Sequence, residues 1–164
     1  MESVALWIKM CCRVCVCGAL VGLSIEDERT YEIPMIYTGI VFTAGLIHLV
    51  LDWRQWPSYL IGMCCVSLPL LLLRHFSGGR AVGGGDIKLL AAAGLLLGWK
   101  KVLLALELAC LLGAVIHSLR VWFGGASRLL AFGPYLSVGI FISMCWGDAL
   151  IHRYLCWAFQ STVI

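Results

Sequence analysis

Charge is scarce in this chain of 164 residues: 13% are Asp, Glu, Lys or Arg, against roughly a quarter in an ordinary soluble domain. The net charge is only +3 and there is no basic tract, so nucleic acid is excluded as the expected partner. Proline occurs four times. Neither a low-complexity linker nor an internal repeat is present, and a single membrane-embedded domain over residues 1–164 is expected. Nine cysteines are present, but no second Cys-x-x-Cys follows Cys12-x-x-Cys15, so the spacing of a four-ligand metal site is missing. Most of these cysteines lie in apolar runs, where a free thiol behaves as a small hydrophobe.

What the chain has in excess is apolar sequence. The hydrophobic share is 62%, gathered into blocks of about 13 to 20 residues between short polar breaks. The expected fold is all-α, a polytopic membrane protein with about six transmembrane helices. These fall at roughly 4–25, 35–52, 57–73, 87–98, 102–118 and 133–151. The fourth is short for a full span and is expected to begin at the membrane boundary or to be shielded by its neighbours. Trp53, Trp56, Trp99 and Trp122 fall at predicted helix ends, where an amphipathic ring prefers the interface. Pro34, Pro57 and Pro134 stand near predicted helix starts. Pro69 lies inside the third helix as a candidate kink. Glu26-Asp27-Glu28 makes a poor signal-peptide cleavage region, so the first helix is expected to be retained.

With the N-terminus outside, the breaks after the first, third and fifth helices hold Arg29, Arg74, Arg80, Lys88, Arg120 and Arg128. The opposite breaks and the tail hold Arg54, Lys100, Lys101 and Arg153. The excess of basic residues assigns the first set to the cytoplasm.

Four aspartates sort by side. Asp27 follows the first helix and Asp86 precedes the fourth, with two helices between them, so both face the same side. Asp52 and Asp148 fall on the other. Only Asp27 and Asp86 can therefore meet without crossing the membrane. Two carboxyl groups brought together at a membrane edge share a proton, one as acid and one as base, which suits them to activating water. In "GGGDIK", Gly83 and Gly85 are expected to let backbone approach closely and to allow positive φ, with room for a substrate strand beside Asp86. Lys88 would favour an ionised neighbour if it points the same way. The simpler alternative is that Asp86 only caps the fourth helix.

"GGGDIKLLAAAG" resembles the GxGD-x-K-L motif of type IV prepilin peptidases and the related preflagellin peptidases. "DERTYEIP", Asp27 to Pro34, looks like the first-aspartate segment of that family, and "FGPYLSVG", residues 132–139, like the segment opening its last helix. The three segments occur in the family's order, and the resemblance covers nearly the whole chain. The resemblance implies a membrane aspartic endopeptidase in which Asp27 and Asp86 are catalytic. Gly83, Gly85, Lys88, Pro34, Gly133 and Pro134 would be the supporting or substrate-binding residues. Its substrate would be the leader of a prepilin-like secreted subunit, cut at the cytoplasmic face of the cell membrane before the subunit's hydrophobic helix. The dyad and water suffice for the reaction, so no metal and no organic cofactor is implied.

The chain departs from the family in three places. Met35 stands where the family usually shows Asn after Ile-Pro, and Glu26 and Glu28 flank the first aspartate. The segment with two Cys-x-x-Cys pairs that many bacterial members carry, associated with methylation, is not matched, so cleavage without N-methyltransferase activity is expected. The runner-up reading is a non-enzymatic scaffold or small transporter, whose key acids would lie in mid-membrane. A distant presenilin-like protease is disfavoured because Glu26, not Tyr, precedes Asp27.

Other residues carry smaller expectations. Arg13 and Glu107 reach nearly the same depth, suggesting an ion pair between the first and fifth helices, with Lys9 as substitute. His48 and His117, in helices, read as packing or interface residues, and His75 is expected in the loop on the side of Asp86. Arg74, Arg80 and Arg128 would meet substrate or lipid phosphate, and Gly124-Gly125 suggests a mobile loop. Ala91 to Gly94 would allow close helix packing or dock a substrate helix.

Overall fold

The computed structural model describes residues 2–79, 82–123 and 131–160. Six helices follow one another: α1 (Glu2–Thr30), α2 (Met35–Leu51), α3 (Trp56–Phe76), α4 (Gly84–Leu97), α5 (Trp99–Trp122) and α6 (Gly133–Gln160). A short 3₁₀ turn, Trp53–Gln55, joins α2 to α3. The chain is a membrane protein. By length and composition four helices can cross a bilayer: α1, α3 with its preceding turn, α5 and α6. At 17 residues α2 is shorter, and α4, with 14 residues, is roughly 21 Å long.

α4 tolerates its shortness because it is enclosed. It packs against α2, α3, α5 and α6, and Leu89, Leu90, Ala92, Ala93, Leu95 and Leu96 are all at most 4% exposed. A helix apolar on every side belongs in a core, and this one is the axis of the bundle. Glycines set the close crossings. A β-carbon on Gly94 would run into the Gly62 carbonyl of α3, and one on Gly139 of α6 into the Ala105 carbonyl of α5. Because lipid removes most of the hydrophobic drive between helices, such close backbone packing is a main source of association. Buried Ala92, Ala93 and Gly94 serve this packing, which leaves that stretch closed to a docking helix.

The outer surfaces are apolar. Leu71, Leu72, Leu111, Val115 and Phe141 are exposed, as expected of lipid-facing positions, and Trp53, Trp56, Trp99 and Trp122 are exposed at helix ends. Gly98, at φ +78°, turns α4 directly into α5, a conformation that favours a residue without a side chain.

Several helices run past their apolar segments. α1 continues to Thr30 and carries Asp27 within it, with the good helix formers Glu26, Glu28 and Arg29 around that aspartate. α4 begins at Gly84, so Asp86 lies inside its first turn and not before it. Arg80, Arg128 and Gly124-Gly125 lie outside the described residues.

Candidate active site

Asp27, near the end of α1, is 4% exposed. Its Oδ2 accepts a hydrogen bond from the backbone N–H of Gly133 at 2.9 Å. Gly133 opens α6, so a side chain from the first helix caps the last. Burial raises the pKa of this carboxyl, and the Gly133 N–H and the partial positive charge of the helix start oppose that rise. A β-carbon on Gly133 would stand 2.6 Å from Asp27 Oδ2, so only glycine admits this approach. Pro134 follows in the first turn of α6, where a missing N–H costs no intrahelical bond.

Asp86 comes from the other side of the site. Gly83 is the N-cap of α4, and no side chain makes a cap hydrogen bond there. Asp86 is therefore not the cap of its helix. Burial pushes its pKa from 3.8 up to about 6, and the negative charge of Asp27 adds to the rise. The structure thus brings together Asp27 and Asp86, the pair that helix counting selects. Asp52 and Asp148 bind Lys9 and Lys101, residues that line a separate cavity at the other end of the bundle.

The three glycines before Asp86 serve close approach alone. Gly83 has φ −62°, and neither it nor Gly84 or Gly85 adopts positive φ, contrary to the sequence expectation. A β-carbon on Gly83 would meet Asp86 Oδ2 at 2.6 Å, so the carboxylate lies back over the turn. One on Gly84 would meet Arg74 Nη1 at 2.9 Å, and one on Gly85 would meet Ile33 Cβ at 2.7 Å. Arg74 thus covers the turn at Gly84 and Ile33 covers it at Gly85.

Ile33 and Pro34 have separate tasks. Ile33 packs on the turn that carries Asp86, and Pro34 is the N-cap of α2. Met35 is exposed at the start of α2. Arg74 has a partner within the chain itself. It donates from Nη1 to the Val82 carbonyl at 3.0 Å, bracing the loop that delivers Asp86. Gly78 and Gly79, at the start of this loop, adopt positive φ, but nothing in the sequence names the arginine as its brace.

Lys88 is exposed and is not among the charges acting on Asp86. Glu26 accepts a hydrogen bond from the Tyr37 hydroxyl at 3.1 Å. The expected Arg13–Glu107 ion pair is absent. Glu107 is exposed on α5, whereas α1 packs mainly against α2 and α6, and Lys9 pairs with Asp52 instead. No cluster of three or more potential metal ligands occurs among the described residues.

Two neighbouring carboxyl groups, one bound to a helix start and the other raised to about 6, can act as an acid–base pair of the kind that activates water. Residues 14–118 match the model of the type IV leader peptidase family. A protein of Aeromonas salmonicida named "Prepilin leader peptidase/N-methyltransferase" is 38% identical over 139 residues, 81% of this chain and 45% of that relative. One of the same name from Xanthomonas campestris pv. campestris is 36% identical over 149 residues, 86% of this chain and 50% of the relative. Another, from Stutzerimonas stutzeri, is 27% identical over 125 residues, 75% of this chain and 43% of the relative. The chain spans about half the length of the curated relatives it matches. No solved structure matches it. With its family model covering most of its length, the chain belongs to the type IV leader peptidase family.

Proposed function

We propose that this chain is a membrane aspartic endopeptidase that removes the leader of type IV prepilin-like subunits, with Asp27 and Asp86 as its catalytic pair. The observation that carries the reading is the unlike pair itself: Asp27 bound to the N–H of Gly133, and Asp86 raised to about 6 beside it. The family match and the relatives' name supply the substrate class.

In this reaction Asp27, ionised, takes a proton from a water molecule, and the water oxygen adds to the scissile carbonyl carbon. Asp86 gives its proton to the carbonyl oxygen. The tetrahedral diol then collapses, the C–N bond breaks, and a proton from the pair passes to the departing amine. Water is consumed, and an acid and an amine are formed. Gly83, Gly85, Gly133, Pro34 and Pro134 support the pair by letting the chain close around it. The inner or plasma membrane is the proposed location. The excess of basic residues on the side of Asp27 and Asp86 supports a cytoplasm-facing site.

The test is a cleavage assay in membranes with a leader-bearing pilin, repeated with Asp27→Asn and Asp86→Asn. Both variants should lose cleavage at unchanged protein level. Cleavage surviving either change would remove that aspartate from the mechanism.

A further inference from the structure

At the end of the bundle opposite the aspartate pair, polar residues from several helices line a cavity of about 150 Å³. Lys9 and Arg13 come from α1, His48 from α2, Asp52 from its C-terminus, Tyr59 from α3 and Lys101 from α5. Along α1, Lys9 is roughly 27 Å from Asp27, so the two sites are separate.

The groups lining this cavity are unevenly satisfied. Lys9 Nζ lies 2.6 Å from Asp52 Oδ2, which also accepts the Tyr59 hydroxyl at 3.4 Å. The lining carboxylate is thereby occupied. Lys101 Nζ lies 2.7 Å from Asp148 Oδ2, but the Asp148 side chain is 85% exposed and outside the lining. Arg13 has no carboxylate within ion-pair distance among the described residues. His48 is 8% exposed, and its Nε2 has no hydrogen-bond partner. A buried polar nitrogen without a partner is uncommon and calls for one.

An oxyanion supplies what these groups lack: negative charge for Arg13 and oxygen atoms for both Arg13 and His48. The volume equals about five waters, enough for a phosphate group and too little for a large ligand. Trp53, Trp56, Trp99 and Trp146, exposed at this end, mark the level of lipid headgroups. Arg13 is also exposed on the outer face of α1, which gives a lateral way in.

We propose that this cavity binds a phosphate-type oxyanion, from a phospholipid headgroup or from free phosphate, through Arg13 and His48, with Lys9 and Lys101 holding the lining positive. The experiment follows thermal unfolding of the full chain in dodecyl maltoside micelles. Four additions are compared: dioctanoyl phosphatidylglycerol, dioctanoylglycerol, sodium phosphate, and sodium chloride at matched ionic strength.

A phosphate-bearing probe at tenfold its Kd should raise Tm by about 4 °C. Arg13→Gln should abolish the shift and His48→Leu should weaken or abolish it, while the exposed Arg153→Gln control keeps it. A shift with phosphatidylglycerol alone assigns a lipid headgroup, and a shift with sodium phosphate as well assigns the free ion. No shift, an equal shift with dioctanoylglycerol, or a shift that survives Arg13→Gln overturns the proposal.

Discussion

Asp86 takes up its proton near pH 6 in the folded chain, against 3.8 for the ordinary side chain. Between these values the folded chain binds more protons than the unfolded chain. Its stability therefore falls as pH rises from about 4 to about 6 and stays lowered above that. A rise from 3.8 to about 6 corresponds to at most about 3 kcal/mol. Asp86→Asn should accordingly raise Tm at pH 7 and change it little at pH 4, while abolishing cleavage. A drop in Tm at pH 7 would mean that the ionised carboxylate serves the fold. Gly133→Ala places a β-carbon 2.6 Å from Asp27 Oδ2. It should cost about 1 kcal/mol of capping and lower cleavage at least tenfold, measured on membranes matched for protein level. The pairing of Asp27 with Asp86 was legible because it needs only a count of helices between them. The role of Arg74 was not, since its partner is a backbone carbonyl brought near by a turn. Nor was the gathering of Lys9, His48, Asp52 and Tyr59, which exists only once three helices have packed.

At the scale of elements, the apolar runs revealed all six helices, because a membrane span needs an uninterrupted stretch of such residues. Their ends were less legible. α5 reaches Trp122 and α6 reaches Gln160, each beyond the last predicted residue, since a single Arg or His in a mostly apolar stretch interrupts an apolar run without ending a helix. The burial of α4 was hinted at by its brevity, but its glycine contact with α3 depends on which faces meet. Gly94→Leu should force α3 and α4 apart and lower stability by about 1–3 kcal/mol or more, read as a lower Tm in micelles. Substitution of the exposed Gly39 on α2, where nothing lies within 4 Å of a new β-carbon, should change Tm little.

For the whole molecule, the arrangement of basic residues predicts which side each end faces. Lys88 and Lys100 are both exposed and lie at opposite ends of the bundle. A membrane-impermeant amine reagent on intact cells with a permeable outer layer should modify Lys100 and spare Lys88. The opposite pattern would invert the orientation. The contact between Asp27 and the start of α6 has a consequence for the timing of turnover. The carboxylate proposed to receive the water's proton is also the latch that holds the last helix to the first. Once protonated it loses its charge, and its grip on the Gly133 N–H weakens from a charge-assisted bond to an ordinary one. Each catalytic cycle would then loosen one seam of the bundle while the cleaved chain is still bound and tighten it again when the proton leaves. Chemistry and release would share a single clock.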